Sequence, residues 1–260
     1  MARSNSILRF NGKLGEINAY TLKDADPGDG FIIRTNGGPS RKQIKSLESC
    51  ILVRKNNDDF GTSSAAAKAV RLAIHPVKHL ADINIQPKLT ALCKYIQRED
   101  KKQVHGEKAV QFSQFGSYLS GFNLNKRFPF DSVVRHPLMA TLHRDTGTGE
   151  INLPELHPGI GLSLPWQQPL YRLIFSLGTA ADRWTASRGN YAPEVVSFIT
   201  PWTISQQFLP AQKIILQLKE PVKERECMII AAGIEIGTML SDAVIQPVKN
   251  TGCAKVLIAG

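Results

Sequence analysis

Apolar positions along this chain change their spacing twice. Up to Arg34 the apolar runs are short, as in small strands: Ile7-Leu8-Arg9-Phe10, a weak alternation from Leu14 to Leu22 that offers Ile17, Ala19 and Tyr20 for burial, and Phe31-Ile32-Ile33. Asn11-Gly12 is a tight-turn dipeptide and Asp24–Gly30 has loop composition, so residues 7–35 read as two strand pairs or a small meander. From Arg41 the spacing becomes helical. One helix is predicted over Arg41–Asn56, with Ile44, Leu47, Ile51 and Leu52 on one side. A second is predicted after Ser63-Ser64, through the Ala65–Ala69 run to Pro76, with Val70, Ala73, Ile74 and Val77 as its stripe. A third begins near Pro87, where Leu89, Leu92, Cys93 and Ile96 repeat at three and four.

Beyond the polar stretch Glu99–Gly106 the spacing returns to two. Strands are predicted at Tyr118–Asn123, Leu138–Arg144, Glu150–Leu153, Gly161–Leu164, Leu170–Leu177, Val195–Ile199, Lys213–Lys219, Cys227–Ile236, Ala243–Val248 and Ala254–Ile258. Prolines scattered from Pro129 to Pro247 oppose long helices there. The expected fold class is α+β: a small N-terminal β-hairpin plus a helical part, followed by a C-terminal all-β sandwich. The expected domains are 1–106, a basic strand-plus-three-helix part, and 107–260, the sandwich. The junction between strand and helix is Arg34–Gln43, where Gly37-Gly38-Pro39 gives way to Ser40-Arg41-Lys42-Gln43, which has capping-box form.

Charge changes this picture. The chain carries +10 overall, and residues 1–110 hold 19 Lys+Arg against 11 Asp+Glu, while residues 111–260 hold 13 against 11. That asymmetry fits a polyanionic or acidic partner for the first part, and equally a solvated, solubilising surface. The candidate polyanion-binding set is Arg34, Arg41, Lys42, Lys45, Arg54 and Lys55, within a wider group that includes Arg3, Arg9, Lys13 and Lys23. Tyr20, Phe10 and Phe31 are available to stack on bases or to fill the small core, and two of the three are expected in the core.

The opening Gly12-Lys13-Leu14-Gly15-Glu16-Ile17…Tyr20 resembles the "GKIGDxxFY" start of an uncharacterised family of Bacteroidetes proteins with a short basic opening. The likeness continues through Ile33-Arg34…Gly37-Gly38-Pro39-Ser40, Asp59-Phe60-Gly61…Ala67-Lys68-Ala69 and Gly121-Phe122-Asn123 ("GFxFN"). It extends to Ala232-Gly233-Ile234-Glu235 ("GIEF"), with Ile236 where the family has an aromatic. The resemblance implies a two-part architecture and a cytoplasmic or phage-associated bacterial setting, and supplies no catalytic residue.

Candidate chemistry is sparse. Asp145-Thr-Gly147 spells the aspartic-protease triplet, but Asp-Thr-Gly-Thr-Gly between two strand-like runs is hairpin-turn chemistry. His75 and His79 stand four apart with Pro76 between them and no Glu after His75, a poor match to a metal-binding helix. Gly37–Ser40 lacks phosphate-loop spacing. Cys50, Cys93, Cys227 and Cys253 sit in apolar surroundings and read as small buried hydrophobes in a reducing compartment, with a Cys227–Cys253 disulfide as the alternative. No catalytic, cofactor-binding or metal-ligating residue is expected, nor a signal peptide or membrane span. The expectation is a non-enzymatic structural or assembly protein in the cytoplasm, self-associating through strand edges. The alternative is a nucleic-acid-binding protein using the basic first part.

Overall fold

The computed structural model describes residues 2–3, 10–22, 30–35, 37–185, 191–241 and 244–260. The mixed α+β class holds, but the chain divides elsewhere than at Gly106. Its two compact units are Met1–Arg54 and Lys55–Gly260.

In the first unit, β1 (Ala2–Arg3), β2 (Gly12–Leu14), β3 (Ile17–Thr21) and β4 (Phe31–Thr35) form an antiparallel sheet in the order β1-β4-β3-β2. The tight turn lies at Gly15-Glu16, where Gly15 has φ 58°, and not at Asn11-Gly12; Leu14 then pairs with Ile17. The reason is register: a turn at Asn11-Gly12 would leave Gly12–Leu14 without the partners it finds in Ile17–Ala19. Residues 7–9 of the expected first strand, Asp24–Asp29 of the expected loop, and Asn36 lie outside the described residues.

The expected helix over Arg41–Asn56 is broken. Helix α1 (Arg41–Ser46) ends at Leu47, a 3-10 turn covers Glu48–Cys50, and α2 runs unbroken over Ile51–Ala73. Ser63-Ser64 therefore starts no helix. The Ser63 hydroxyl instead donates to Gln97 Oε1 at 3.0 Å, inside the protein. Pro76 acts as expected, ending α2 and opening the short α3 (His75–Lys78), and α4 (Gln86–Gln97) starts around Pro87.

The second unit has three layers. Strands β5 (Met139–His143), β6 (Thr148–Leu153) and β10 (Gln212–Gln217) make a small sheet in the order β10-β6-β5. The large sheet is built on β7 (Leu170–Ala181) and β11 (Glu226–Ser241), antiparallel neighbours from Leu170↔Gly237 to Ala181↔Glu226. On the outer side of β7 lie β8 (Val195–Ile199) and β9 (Thr203–Ile204); on the outer side of β11 lie β12 (Val244–Pro247) and β13 (Cys253–Ala259).

Alternation on the two central strands assigns the faces. Tyr171, Leu173, Phe175 and Leu177 with Met228, Ile230, Ala232 and Ile234 meet Ile151, Leu153, Ile214 and Leu216 of the small sheet. Ile174, Ala180, Cys227, Ile229 and Ala231 meet Ala66, Val70, Ala73, Val77, Leu89, Cys93 and Ile96 of the helices. The sandwich is thus present, and the helices are its third layer. That shared core is why no division falls at Gly106. The connection is also tied down: Gln97 Nε2 donates to Asp59 O and Lys108 O, and the Asp100 carboxylate accepts from the backbone of Lys102, Gln103 and Ala109.

The Ala65–Ala69 run now has a packing reason. Helix α2 lies so close to the sheet that a Cβ built on Gly178 of β7 would stand 2.3 Å from the Ala73 carbonyl oxygen. Two other strand expectations fail. Gly116–Leu119 is 3-10 and Gly121 stands in a turn with φ 82°, from which residues 121–124 bond to β13. Gly161–Leu164 makes isolated bridges through Leu162 to Val134 and Pro158, in a stretch whose prolines cannot donate to a ladder. No described helix is long and apolar enough to cross a membrane.

Candidate functional site

The capping box at the strand–helix junction forms as expected. Ser40 Oγ accepts from Gln43 N at 3.3 Å, and Gln43 Oε1 accepts from Ser40 N at 2.7 Å. Gly38 before it has φ 100°, a conformation that favours glycine. The junction fixes where α1 begins, and with it where Arg41, Lys42 and Lys45 stand. All three are exposed, on a helix with no acidic residue in its first turn.

The rest of the candidate polyanion set has other partners. Arg34 lies over the Tyr20 ring, 5.4 Å from its centroid. Arg54 donates to the carbonyls of Ile44 at 2.9 Å and Leu47 at 2.7 Å. It thereby caps carbonyls where α1 stops, Leu47 O accepting from Cys50 N as well, so its role is structural. Lys55 belongs to the other unit, where its stem packs over Gly106. Of the three aromatics, Phe31 is buried, while Phe10 and Tyr20 are half-buried. Arg9 and Lys23 lie outside the described residues.

More distinctive than this charge is what the first unit fails to cover. Ala19, Phe31 and Cys50 are its buried apolar side chains among the described residues. Against them, Leu14 is 66% and Leu52 61% exposed, and Ile17, Leu22, Leu47, Ile51 and Val53 are exposed as well. A four-stranded sheet with so little core is marginal by itself.

In the second unit, sequence reasoning missed a polar cluster on the helix-facing side of the large sheet. Glu235 of β11 is buried; its Oε1 meets His79 Nε2 at 2.6 Å, and its Oε2 accepts from Arg172 Nε at 2.6 Å. Arg172, directly opposite on β7, also stacks on Trp202 at 4.2 Å. Burial pushes the Glu235 carboxyl up, but the hydrogen bonds from His79 and Arg172 outweigh it and hold the group below its ordinary value. His79 is therefore engaged by Glu235. The signal available was Glu235 itself, a charge inside the longest apolar run.

A cavity of about 900 Å³ is lined by Asp100, Ser113, Asp182, Trp184 and Arg225 among others. Its two buried carboxylates are committed: Asp100 to backbone N–H groups, and Asp182 to Ser113 N at 2.8 Å and Ser113 Oγ at 2.6 Å. Arg225 covers the Trp184 ring. Asp145–Gly147 is the β5–β6 hairpin turn, with Gly147 at φ 64° and its N–H bonded to Arg144 O. The four cysteines are buried and unpaired, Cys227 included, whose thiol burial pushes up to about 12. No protein-family model, curated protein or solved structure matches this chain.

Proposed function

We propose that this chain is a non-enzymatic assembly protein that associates with further copies of itself, in a reducing, cytoplasmic setting. The observation that carries the reading is the first unit's surface: among the described residues, seven large apolar side chains are exposed there against three buried apolar ones. Leaving such groups in water forgoes about 1.5–3 kcal/mol for each side chain that burial would gain. A neighbour of the same kind supplies the missing cover. Exposed apolar surface on this scale is the usual mark of a protein–protein contact. The buried carboxylates engaged by backbone groups support the non-enzymatic part, since neither is left to act on a substrate.

The test is association of the full chain, followed by light scattering across a concentration series, in wild type and in Leu52→Lys. Wild type should associate and Leu52→Lys should do so more weakly, with an unchanged circular-dichroism spectrum. A wild type that stays monomeric at the highest concentration overturns the reading. The second reading is nucleic-acid binding, supported by the exposed trio Arg41, Lys42 and Lys45 on one short helix. It requires affinity that falls steeply with salt and a shallower salt slope when all three are changed to Gln.

A further inference from the structure

A sheet edge is a row of unpaired N–H and C=O groups that invites another strand, and most natural edges are guarded. Those of the second unit can be compared. The outer side of β13 is bonded by residues 121–124. β12 has four residues, one of them Pro247. β10 carries Lys213, paired with Glu150 at 2.7 Å. β5 ends in His143 and is followed by Arg144, which reaches to the carbonyls of Lys223 and Glu226. β8, Val195-Val-Ser-Phe-Ile199, has none of these guards: no charge, no proline and no bulge against β7.

Its register shows which groups are turned away from β7 and, among the described residues, have no backbone partner. Thr179 N donates to Glu194 O, and Thr200 N donates to Leu173 O. Both pairs belong to the hydrogen-bonded class, which alternates along an antiparallel ladder. Val196 and Phe198 therefore bond to β7, while the backbone of Val195, Ser197 and Ile199 points away from it. Ser197, Phe198 and Ile199 are exposed.

We infer that β8 is the strand through which two copies of this chain join, antiparallel and centred on Ser197. This inference rests on the self-association reading above. The strand is self-complementary in that register. Ser197 faces its own copy, Val195 faces Ile199 on one side of the sheet, and Val196 faces Phe198 on the other. Apolar groups meet apolar groups and no like charges oppose one another. The three outward residues of each copy would exchange about six N–H···O bonds across the axis. Pro193 and Pro201, which would oppose each other at the two ends, have no N–H to offer and so limit the ladder to β8. A two-fold contact of this kind uses up the edge and closes the pair.

The experiment uses the full chain. Ser197→Lys puts two ammonium groups opposite each other at the axis, and Ser197→Pro removes the central N–H, which β7 does not use. Both should raise the dimer Kd at least about tenfold while the melting temperature of the second unit stays near wild type. Hydrogen exchange of wild type supplies a readout that needs no variant. The amides of Val195, Ser197 and Ile199 should become protected as concentration rises, while those of Val196 and Phe198 are already protected in the dilute protein. Association that survives both Ser197 variants, or no gain in protection at those three amides, overturns the β8 contact. If such a protein still loses association in Leu52→Lys, the β8 inference falls alone; a wild type monomeric throughout removes both.

Discussion

Replacing Gly178 by alanine tests whether the helices belong to the sandwich. A Cβ there would lie 2.3 Å from the Ala73 carbonyl oxygen and 2.9 Å from its carbonyl carbon and Cα. All three atoms are helix backbone, so no rotamer change relieves the clash, and α2 has to move off the sheet by roughly an ångström to reach ordinary contact. Moving it loosens Val70, Ala73 and Ile74, which are wholly buried in the helix-facing core. Overpacking of this kind costs about 1–3 kcal/mol, and the upper part of that range applies where backbone must shift. Alanine's lower entropy in the unfolded chain offsets about 0.5–1 kcal/mol. The net expectation is a loss of about 2 kcal/mol, or a fall of about 4–8 °C in melting temperature for a unit of this size. Gly233→Ala is the control. Its Cβ would meet Leu80 Cδ1 at 2.5 Å, the far end of a flexible side chain, so it should lose no more than about 1 kcal/mol. Thermal and urea unfolding of both variants decide the matter. A Gly178→Ala protein as stable as wild type, or one less affected than Gly233→Ala, would mean that α2 does not lie against β7.

Ser40→Ala removes the hydroxyl that accepts from Gln43 N, leaving the Ser40 backbone N–H to donate to Gln43 Oε1, and should weaken α1 by about 1 kcal/mol, read as about fivefold faster hydrogen exchange at the Ile44 and Leu47 amides. Arg172→Met leaves the buried Glu235 carboxylate to His79 alone and should cost about 2 kcal/mol near neutral pH in a urea titration. Because the folded state holds Glu235 below its ordinary value of 4.5, its contribution is fully present above that pH and is lost as pH falls through the lowered folded value. The stability gap between wild type and Glu235→Gln should accordingly narrow on acidification below about pH 4.5. The buried Cys227 thiol, pushed up to about 12, should resist alkylation at neutral pH at a rate set by unfolding, which a urea series would reveal.

The sequence pattern finds the strands of the second unit well because their apolar runs are short, alternating or continuous, and bounded by turn residues. Val195–Ile199 matches β8 residue for residue, and Lys213–Lys219, Cys227–Ile236, Ala243–Val248 and Ala254–Ile258 fall on β10 to β13. At Glu99–Gly106 polarity does not mean exposure throughout. Asp100 and Gln97 are polar, yet both are buried and bond the backbone around them. The helix break is hidden for the opposite reason. Leu47, Ile51 and Leu52 keep a helical apolar spacing, but all three are exposed, so no core enforces the continuous helix that the spacing suggests. The basic set was legible as a list and not as a surface. Whether Arg54 faces water or caps two carbonyls depends on α1 ending at Ser46, which hydropathy does not encode.

Glu235 and β8 show two ways in which a local pattern hides a role. A carboxylate near the end of Cys227–Ile236 breaks the apolar run, and burying it alone would be costly. The fold accepts it because β7 brings Arg172 directly opposite and the chain after α3 brings His79 alongside, partners 63 and 156 residues away in sequence. β8 is the reverse case. Its five residues look like an interior strand, uncharged and rich in β-branched and aromatic side chains, yet it stands at the end of the sheet order. An interior composition at an edge is consistent only if the edge becomes interior. In the register centred on Ser197, a second copy of β8 supplies the missing neighbour without placing a charge or a proline between Val195 and Ile199. The same composition that made the strand easy to find in the sequence is thus the physical reason for expecting it to be paired on both sides.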